Sequence, residues 1–586
     1  MRVPIILFMI LLSVLEGWAQ TTPTLPTLPQ AFVSTTRPVR TGTTCTGANL
    51  SAVQACLNTA AALTSANGGN NVNEVVITAG SAFTGPLTLP ARGSGATGWI
   101  LLRSSLSGNL PENTRVAPSS TANMARVNTD CSGYTRGIQT RGNAHHYWLI
   151  GIEVVSACTT AGTSWWLIDF GGDDLANEHG SSEPGHHFVV DRSYLHGTST
   201  STKVKVGVAL NAYQGYGAVL DSYISEIHEQ GADSQAVWAL YNPGPILVQN
   251  NYLEAGGENF MSGGSFSSAL DTVARLPSDI TLVRNTIAKP IVWKALSGLG
   301  PFKALVEFKT GKRILMEGNI LSGSWLGCAS CEVGGFSLRL TVRSDEGGVP
   351  FAVLQDVTIR YNRITDVTGM YNLTSSDGVA SSGVSSRIHV HNNLWYNFST
   401  TPNSYWDQVY GSGINGPGSD WTIEHNTVIS AGSSEGALVM VMGAGSVLRY
   451  SMRNNIIRNH PTYDLVVQCE CPGQTTGSTA LDTAFGSNGW FYDHNVIMRT
   501  GGALSGYPAG NFWPTSWTAV QFVNLAGDNY RLAAGSPYKN AGSDGLDIGA
   551  NIDAMEAAIA GGAPPVDTTP PAVPTGVYIT RSYGTH

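Results

Sequence analysis

Residues 279–287 read Asp-Ile-Thr-Leu-Val-Arg-Asn-Thr-Ile, and a phrase of this form recurs along most of the chain. Each copy has an asparagine or serine, here called the anchor, between two short apolar runs. The ten anchors are Ser193, Ser222, Asn251, Asn285, Asn319, Asn362, Asn393, Asn426, Asn455 and Asn495. Neighbouring anchors lie between 29 residues (Ser193 to Ser222) and 43 residues (Asn319 to Asn362) apart. A period of this length predicts a repeat architecture.

Positions around the anchor alternate between apolar and polar side chains. The residue two after the anchor is apolar in every copy: Leu195, Ile224, Leu253, Ile287, Leu321, Ile364, Trp395, Val428, Ile457 and Ile497. The residue three before it is apolar as well: Val190, Val219, Val248, Leu282, Met316, Ile359, Val390, Ile423, Met452 and Tyr492. The residue two before it is mostly polar, as at Gln249, Glu317 and Arg360. This alternation is typical of a strand with one buried face, so the anchor must lie in a turn.

A strand, a turn, a second strand and a return loop describe one coil of a parallel β-solenoid. One coil cannot bury its own apolar side chains, but coils stacked about 4.8 Å apart form a continuous core. We expect the stacked anchors to form a ladder of amides, because Asn accepts left-handed turn geometry and hydrogen-bonds to nearby backbone. Residues 73–104 and 147–156 read as further, less regular coils. Residues 50–63 have apolar side chains at helical spacing, which predicts a short N-terminal capping helix.

Both ends of the chain differ from the repeat. Residues 1–19 combine a positive charge, an apolar run and small residues, which is the pattern of a secretory signal peptide cleaved after Ala19. Residues 20–39 are rich in Pro and Thr and read as a linker, so the β-helix domain is predicted over residues 40–560. Residues 561–586 read as a second linker of the same kind. We therefore expect a secreted, extracellular protein.

Cysteine usage agrees with an oxidising compartment. The eight cysteines fall as local pairs: Cys45 with Cys56, Cys131 with Cys158, Cys328 with Cys331, and Cys469 with Cys471. In an exported chain such pairs favour disulfides. A zinc site on Cys328 and Cys331 is the weaker alternative, because it would need further ligands from elsewhere in the chain.

Composition and charge exclude several classes of protein. Charged residues make up 12% of the chain, glycine accounts for 68 residues, and Lys+Arg 32 against Asp+Glu 41 gives a net charge of -9. Low charge with high glycine argues against a coiled coil or a helical bundle. The acidic balance offers no basic field to nucleic acid, and no stretch reaches the ~20 apolar residues of a membrane span. We expect a monomer whose partner is neither nucleic acid nor a membrane.

Three further stretches complete a family resemblance: DSQAVW at 233–238, GENFMSGGS at 257–265 and YRLAAGSPYKNAGSDGLDIGA at 530–550. With the repeated phrase, they make residues 40–555 resemble secreted bacterial right-handed parallel β-helix proteins of the pectate-lyase-like superfamily. The resemblance implies an all-β, right-handed parallel β-helix. It leaves the activity open, because this superfamily holds polysaccharide lyases, glycoside hydrolases, esterases, phage depolymerases and inert surface proteins. Residues 567–579 resemble the linker and first strand of a fibronectin type III module, either truncated or vestigial.

A packed β-helix has no internal pocket, so a functional site must lie on an outer face or in the loops. The second strands of the coils read AVW at 236–238, NFM at 259–261, LVEFK at 305–309 and SLRLTVR at 337–343. The side chains expected to point inward are Trp238, Phe260, Val306, Phe308, Leu338, Leu340 and Val342. Alternation then places in one outer polar column Gln235, Asn259, Glu307, Lys309, Arg339 and Arg343. Asp233 and Glu258 lie at the entry to this column, and Lys294 lies in a loop that could fold over it.

Lysines concentrate beside this column. Five of the eight lysines fall within residues 289–312. Residues 279–345 hold nine Lys or Arg and five Asp or Glu, a local charge of +4 on an acidic protein. A cationic strip on an extended sheet suits an acidic linear polysaccharide as substrate. The alternative interpretation is a solvated face with ordinary ion pairs.

The pattern favours cleavage of an acidic polysaccharide by β-elimination. This reaction needs a base for the proton next to the uronate carboxylate and a positive charge for the developing anion. The predicted base is Lys309 or Lys294. The predicted carboxylate clamp is Arg339 and Arg343. The predicted calcium ligands, or partners that hold the cations in place, are Asp233, Glu258 and Glu307. The predicted substrate contacts are Gln235, Asn259 and Trp238.

Two other functions stay open. A glycoside hydrolase would use two carboxyls about 5–10 Å apart. The candidate pairs are Glu229 with Glu258 and Asp173 with Asp174. A non-catalytic glycan-binding or cell-surface β-helix would have no ordered cluster of charges on one face.

Histidines give weaker signals. His389 and His391 have metal-like spacing on one strand, and we interpret them as a surface pair. Nothing in the sequence organises the pairs His145–His146 and His186–His187.

Overall fold

The computed structural model describes residues 20–26, 37–63, 69–133, 135–158, 163–171, 185–199, 203–267, 270–296, 299–325, 331, 335–398, 407–410, 415–429, 439–442, 447–458, 466–468, 476–486 and 489–561. The predicted signal peptide and the fibronectin-like stretch lie outside the described residues. So do Asp173, Asp174, Cys328, Cys469 and Cys471.

Short strands dominate the chain, and a few helices flank them. The strands of the first coils are β1 (Thr44–Gly47), β2 (Asn73–Ile77), β3 (Ala82–Thr84), β4 (Leu87–Leu89), β5 (Ile100–Ser104), β6 (Ala125–Asn128), β7 (Thr135–Thr140), β8 (His145–Ile150), β9 (Ile152–Val155), β10 (Ser164–Phe170), β11 (His186–Asp191), β12 (Tyr194–His196) and β13 (Val204–Leu210). The next are β14 (Gly217–Leu220), β15 (Tyr223–Ile227), β16 (Gln235–Ala239), β17 (Ile246–Gln249), β18 (Tyr252–Ala255), β19 (Glu258–Ser262), β20 (Ser278–Val283), β21 (Thr286–Ala288), β22 (Val306–Phe308), β23 (Gly311–Glu317), β24 (Ile320–Ser324), β25 (Phe336–Leu340), β26 (Leu354–Arg360), β27 (Arg363–Val367) and β28 (Gly369–Thr374).

The remaining strands are β29 (Ser385–His391), β30 (Leu394–Tyr396), β31 (Asp407–Tyr410), β32 (Gly418–Glu424), β33 (Thr427–Ile429), β34 (Val439–Met442), β35 (Val447–Arg453), β36 (Ile456–Arg458), β37 (Val466–Gln468), β38 (Trp490–Asp493), β39 (Val496–Met498), β40 (Phe522–Asn524) and β41 (Asn529–Leu532). The α-helices are α1 (Leu50–Ala62), α2 (Gly477–Phe485), α3 (Trp517–Val520) and α4 (Ile552–Ala560). Short 3-10 helices lie at Ser107–Asn109, Pro118–Asn123, Val273–Arg275, Ile291–Ala295 and Leu525–Gly527.

Strands β1 to β39 form three long parallel sheets. Sheet A has 14 strands and runs from β1 through β2 and β5 to β38, sheet B has 13 and runs from β3 to β39, and sheet C has 12 and runs from β4 to β37. From β2 onward each strand pairs with the strand three further along the chain, so three consecutive strands make one coil. The predicted right-handed parallel β-helix is confirmed.

The anchors form the predicted ladder between sheet A and sheet B. All ten are at most 1% exposed. The Asn319 amide shows the pattern: its backbone N donates to Asn362 Oδ1, its Nδ2 donates to the Leu282 carbonyl, and its Oδ1 accepts from Asn285 N. The left-handed residue is the one before each anchor, with φ between 44° and 64°, and not the anchor itself. The asparagine is therefore repeated for its hydrogen bonds, which satisfy buried backbone groups of two coils at once.

Caps close the core at its start and cover one side. Helix α1 packs against β1, β2 and β4, and it buries Val53, Leu57 and Ala60, as predicted. The antiparallel hairpin of β40 and β41 and helix α4 lie against sheet B, where Tyr530 and Met555 pack on Tyr361 and neighbours. These contacts shield apolar side chains that would otherwise be exposed on the outer face of sheet B.

Two of the predicted disulfides are present. They join Cys45 to Cys56 and Cys131 to Cys158. Cys331 is also disulfide-bonded, which removes it as a thiolate ligand for zinc. Within the described residues, no helix has both the length and the apolar character needed to cross a membrane.

The outer face of sheet A carries alternating acids and arginines, here called the Asp–Arg ladder: Asp279, Arg313, Asp356, Arg387, Asp420 and Arg449. All six have φ between 50° and 62° and lie in register on successive coils. Each arginine makes two hydrogen bonds of 2.6–2.8 Å to the aspartate of the preceding coil. Each pair therefore has the bidentate geometry that guanidinium and carboxylate groups prefer.

Part of the predicted linker lies on this ladder. The backbone N of Thr21 donates to Asp420 Oδ1 at 3.2 Å, and that of Thr24 donates to Asp356 Oδ1 at 3.0 Å. Gln20 Nε2 donates to the Arg449 carbonyl at 2.7 Å. Residues 20–26 thus make backbone contacts with the β-helix.

Candidate functional site on sheet C

Strand register defines the columns of sheet C. Inside the coil, the aligned residues are Val237, Phe260, Val306, Leu338 and Tyr371. One position further along each strand, the aligned residues of the outer face are Trp238, Met261, Glu307, Arg339 and Asn372. The predicted outward placement of Glu307 and Arg339 on neighbouring coils is correct.

The prediction that Trp238 points inward is wrong. It aligns with Met261 and Glu307 rather than with Phe260, so the assumed alternation on β16 was shifted by one residue. Trp238 remains only 5% exposed, and its Nε1 donates to the Gly263 carbonyl at 2.9 Å. A loop hydrogen bond therefore fixes the indole at the edge of the site.

The prediction that Asn259 and Gln235 join an exposed column is also wrong. Asn259 is fully buried, with its Nδ2 donating to the carbonyls of Leu253 and Ala288. Gln235 is 1% exposed, and its Nε2 donates to Glu258 Oε2 at 2.9 Å. Asn259 thus contacts carbonyls of two strands of sheet B, a placement that alternation along the sheet C strands does not show.

Two buried carboxyls lie side by side in this region, Glu258 and Glu307, here called the carboxyl pair. They are 0% and 1% exposed. Burial, followed by repulsion from Glu307 and Asp233, raises the pKa of Glu258 to about 7. Burial also acts to raise the pKa of Glu307, but Lys309, Arg339 and a hydrogen bond from Glu258 lower it below the ordinary value. The two carboxyls are therefore coupled, and Glu258 is the one that keeps its proton to the higher pH.

Hydrogen bonding leaves the carboxyl pair incompletely satisfied. Thr341 Oγ1 donates to Glu307 Oε1 at 2.9 Å. Glu258 Oε1 and Glu307 Oε2 accept nothing from N–H or hydroxyl groups of the described residues, which leaves only the proton between them. Buried unsatisfied oxygens are costly, and they mark sites that serve chemistry more often than packing.

Cations surround the carboxyl pair on the solvent side. Lys309 Nζ lies 3.9 Å from Glu307 Oε2, and Arg339 Nη1 lies 3.6 Å from Glu307 Oε1. Their side chains are 17% and 14% exposed, whereas Glu307 is almost completely covered. Arg343 Nη1 lies 3.7 Å from Asp377 Oδ1, with 38% of the arginine side chain exposed. The surface that a ligand meets is therefore cationic, and the carboxylates that hold it lie beneath.

Two lysines extend the cluster. Lys303 Nζ is 2.7 Å from Asp233 Oδ2. Lys289 is buried beneath the face, and its Nζ donates to Asn259 Oδ1 at 2.8 Å and to the Ala304 carbonyl at 2.9 Å. Burial lowers the pKa of Lys289 to about 7. Among the predicted cluster of lysines, Lys303 and Lys309 therefore lie at the face, whereas Lys289 is buried beneath it.

Lys294 lies outside the strands that build the face. It lies in the 3-10 helix Ile291–Ala295 and is half-buried. Ile291 and Val292 of the same helix are 62% and 64% exposed. The prediction of Lys294 as a base is untested, and Lys309 is the lysine that the sheet places beside Glu307.

Two of the three predicted calcium ligands already have protein partners. Asp233 is ion-paired with Lys303, and Glu258 Oε2 accepts from Gln235 Nε2. Calcium takes six to eight oxygen ligands. The prediction of calcium is untested, and calcium enters none of the steps proposed below.

Of the two carboxyl pairs predicted for hydrolysis, Asp173 with Asp174 lies outside the described residues, and Glu229 and Glu258 have different partners. Glu229 Oε1 is ion-paired with Lys203 Nζ at 2.6 Å, and the neighbour of Glu258 is Glu307. The prediction based on the spacing of Glu229 and Glu258 from their anchors therefore assigned the wrong partner to Glu258. Thr341 and Asp377 were not recognised, because nothing in their sequence surroundings links them to Glu307 or Arg343.

Comparisons with known proteins give likeness to solved structures alone. No protein-family model and no curated protein match the chain. A mutant of the alginate lyase AlyGC is 12% identical over 87% of this chain, with a TM-score of 0.46, and the chain spans 58% of its length. An alpha-1,3-glucanase from Streptomyces thermodiastaticus is 15% identical over 85% of this chain and 73% of its own, with a TM-score of 0.43. An exopolygalacturonase from Thermotoga maritima is 10% identical over 78% and 93%, with a TM-score of 0.36.

Fold and face together define the class. The chain is a right-handed parallel β-helix with a cationic outer face on sheet C above a buried carboxyl pair. What this class of site does must be argued from its residues.

Proposed function

We propose that the protein is a secreted enzyme that cleaves an acidic extracellular polysaccharide by β-elimination on the outer face of sheet C. The observation that carries the proposal is the layering of charge, with Lys309 and Arg339 at the surface and Glu307 buried behind them. A polyanion lying along the sheet meets cations first. The named structural neighbours include an alginate lyase and an exopolygalacturonase, which agrees with a carbohydrate substrate.

Arg339 and Arg343 are suited to hold the uronate carboxylate. Both guanidiniums are partly exposed and kept at 3.6–3.7 Å from buried carboxylates, so each retains N–H donors for a ligand. Binding the carboxylate withdraws electron density and stabilises the anion that forms when the adjacent proton leaves. This interaction strengthens as charge develops, which is what lowers the barrier.

Lys309 is the proposed proton acceptor, and its free amine takes the proton next to the uronate carboxylate. As that proton leaves, a carbon–carbon double bond forms, the glycosidic C–O bond breaks, and the leaving oxygen takes a proton from water. Glu307 lies next to both Lys309 and Arg339 and acts as a positioning residue, because it is too deeply buried to touch the polymer.

Hydrolysis is the second candidate, and the split pKa values of Glu258 and Glu307 favour it. One carboxyl with a raised pKa and one with a lowered pKa is the usual arrangement of acid and base in glycosidases. Both carboxyls are buried, however, and a water and a sugar oxygen would have to reach them. A non-catalytic glycan-binding role is the third candidate and requires only the cationic face.

The test is a panel of polyuronates, with a neutral glucan as control, assayed with calcium and with EDTA. β-Elimination creates an unsaturated uronate that absorbs in the ultraviolet, and we expect this signal on one acidic polymer. Loss of the signal in Lys309→Ala, with substrate binding kept, supports the proposed base. Flat absorbance with new reducing ends means hydrolysis. Silence in both assays, with retained binding to the polymer, leaves a glycan-binding protein and overturns the proposed activity.

A further inference from the structure

Two pairs of adjacent histidines occupy the same register on neighbouring coils of sheet A. His145 and His146 open β8, and His186 and His187 open β11, with His145 aligned to His186. The rings stack in two layers. Ring centroids lie 4.7 Å apart for His145 and His186, and 4.3 Å apart for His146 and His187. The structure thus organises four imidazoles that the sequence left unconnected.

Ring nitrogens converge within this block. His145 Nδ1 lies 2.8 Å from His146 Nδ1, and His186 Nδ1 lies 2.6 Å from His187 Nδ1. One ligand nitrogen from each of His145, His146 and His186 lies within 4.8 Å of the other two. Only one proton can lie between the two facing nitrogens of each pair. At least one of these two nitrogens therefore points a lone pair at the other ring.

A backbone carbonyl fixes the orientation of one ring. His145 Nε2 lies 3.2 Å from the Gly93 carbonyl oxygen, which can only accept, so Nε2 carries the hydrogen and Nδ1 carries the lone pair. Metal-binding histidines are usually held in this way, with the second ring nitrogen donating to a carbonyl or carboxylate. His145 Nδ1 is therefore already in the form that coordinates a metal.

The Arg92 guanidinium lies beside the block, and its Nη1 donates to the His145 carbonyl at 3.0 Å. Its positive charge opposes a bound cation, so ions held mainly by charge, such as calcium and magnesium, are disfavoured. Ions with high affinity for neutral imidazole, such as zinc, are not excluded in this way.

The geometry points to a zinc-class metal site in which His145, His146 and His186 are the ligands and His187 lies at the edge. Nitrogens bound tetrahedrally to zinc at about 2.0–2.1 Å are roughly 3.3–3.4 Å apart. The His145 and His146 nitrogens need to separate by about half an ångström, and His186 needs to approach. The bound ion ties β8 to β11 and replaces the proton shared between His145 and His146. This site lies on coils that precede the sheet C face, so it is independent of the proposed cleavage reaction.

The test uses the full chain stripped with chelator and titrated with Zn²⁺ by calorimetry. We expect one ion per chain and a higher melting temperature with zinc. His146→Gln and His186→Gln should each weaken binding at least tenfold and abolish the thermal shift. The matched control is His494→Gln, because His494 is bonded to Asp493 and lies far along the chain from the cluster. This variant should bind zinc as the wild type does.

Co²⁺ provides a readout that does not depend on the folding of a variant. Cobalt bound to three imidazoles in the wild-type protein should give the visible bands of a four-coordinate nitrogen site, and added zinc should remove them. Zinc bound equally well by His146→Gln, or wild-type protein that binds neither ion stoichiometrically, overturns the proposal. Polysaccharide cleavage should be the same with and without zinc, so failure here leaves the proposed enzyme function to its own test.

Discussion

The Asp–Arg ladder on sheet A and the charged cluster on sheet C contain similar residues, but the geometry of their ion pairs differs. On the ladder, Arg387 makes hydrogen bonds of 2.6 and 2.8 Å to the two oxygens of Asp356. On sheet C, Arg339 and Lys309 approach Glu307 only to 3.6 and 3.9 Å. Ladder charges are matched one to one, whereas those of sheet C are not.

This difference separates stabilising charges from charges available for chemistry. In a bidentate pair, two N–H donors of the arginine are committed to the two oxygens of the aspartate. Such a pair favours the folded state and offers little to a ligand. In the longer ion pairs of sheet C the N–H donors stay available to a ligand, and the unsatisfied buried carboxyl can exchange a proton. The comparison predicts that substitutions of the surface cations on sheet C change activity more than stability, and that substitutions on the ladder do the reverse.

The largest effect is expected for Arg339→Ala. Removing the proposed carboxylate clamp should lower the rate of unsaturated product formation by about 10²- to 10³-fold, as loss of an anion-stabilising donor does elsewhere. Initial rates on the responsive polymer, with melting temperature measured in parallel, check this expectation.

Arg387→Ala is the control, since it removes an ion-paired arginine from the ladder, whose side chain is 31% exposed against 14% for Arg339. Its rate should stay within about twofold of wild type. Equal losses of rate in both variants would contradict the division of labour between the two faces.

The next largest effect concerns Glu258. Its pKa is about 7 in the folded protein against an ordinary 4.5, so the folded state binds the extra proton between these values. Its stabilising contribution is complete below about pH 4.5 and is lost as pH rises through 7. Glu258→Gln keeps a neutral donor next to Glu307, so it should be more stable than wild type at pH 8 by at most about 3 kcal/mol.

Urea unfolding at pH 5 and pH 8 measures this change. The two proteins should differ little at pH 5 and diverge at pH 8. A wild-type stability that does not fall over this interval would show that Glu258 is ionised throughout and that the carboxyl pair holds no proton.

Much of the fold could be predicted because every coil repeats the same physical requirements. The alternation around Asn285, Asn319 and their counterparts reports both the buried face and the turn, and the anchor amides stack as expected. The Asp–Arg ladder was also present in the sequence. Its members lie six residues before successive anchors and alternate strictly in sign from Asp279 to Arg449. Position relative to the anchor thus predicts neighbours across coils.

The site was predicted less well because its strands lie furthest from the anchor. Loops of variable length separate the anchor from sheet C, so the phase of alternation at Trp238 was lost. Asn259 bonds to the Ala288 carbonyl of sheet B, and its partner Lys289 is buried with its Nζ on the Ala304 carbonyl, contacts that alternation along one strand does not report. The pairing of Glu258 with Glu307 spans a loop of that kind, and no periodicity in the sequence reports it.

A smaller effect is expected from breaking one pair of the ladder. Arg387→Ala leaves Asp356 without its bidentate partner, but the arginine is about one third exposed and solvent screens the pair. We expect a loss of about 1 kcal/mol in the free energy of unfolding at pH 7. Burial acts to raise the pKa of Asp356, but hydrogen bonds from Arg387 outweigh it and lower the pKa. The contribution is therefore present above about pH 4 and fades on further acidification.

Denaturant unfolding of Arg387→Ala and wild type at pH 7 and pH 3 checks the size and the sign. The difference between the proteins should shrink at pH 3. A difference that stays the same on acidification would mean that Arg387 stabilises the fold by packing and not through its charge.

The smallest effect concerns the segment that crosses the ladder. Asp420 accepts the backbone N–H of Thr21, and Asp356 accepts that of Thr24, so the ladder aspartates serve the segment as well as their arginines. Asp420→Ala should accelerate hydrogen exchange in residues 20–26 several-fold while total stability falls by less than about 1 kcal/mol. Asp279→Ala breaks the same kind of ion pair at the other end of the ladder and should leave this exchange unchanged. Equal acceleration in both variants would mean that the segment depends on the sheet as a whole. Acceleration confined to Asp420→Ala would mean that single carboxylates hold it, which is a second use for charges that are otherwise fully paired.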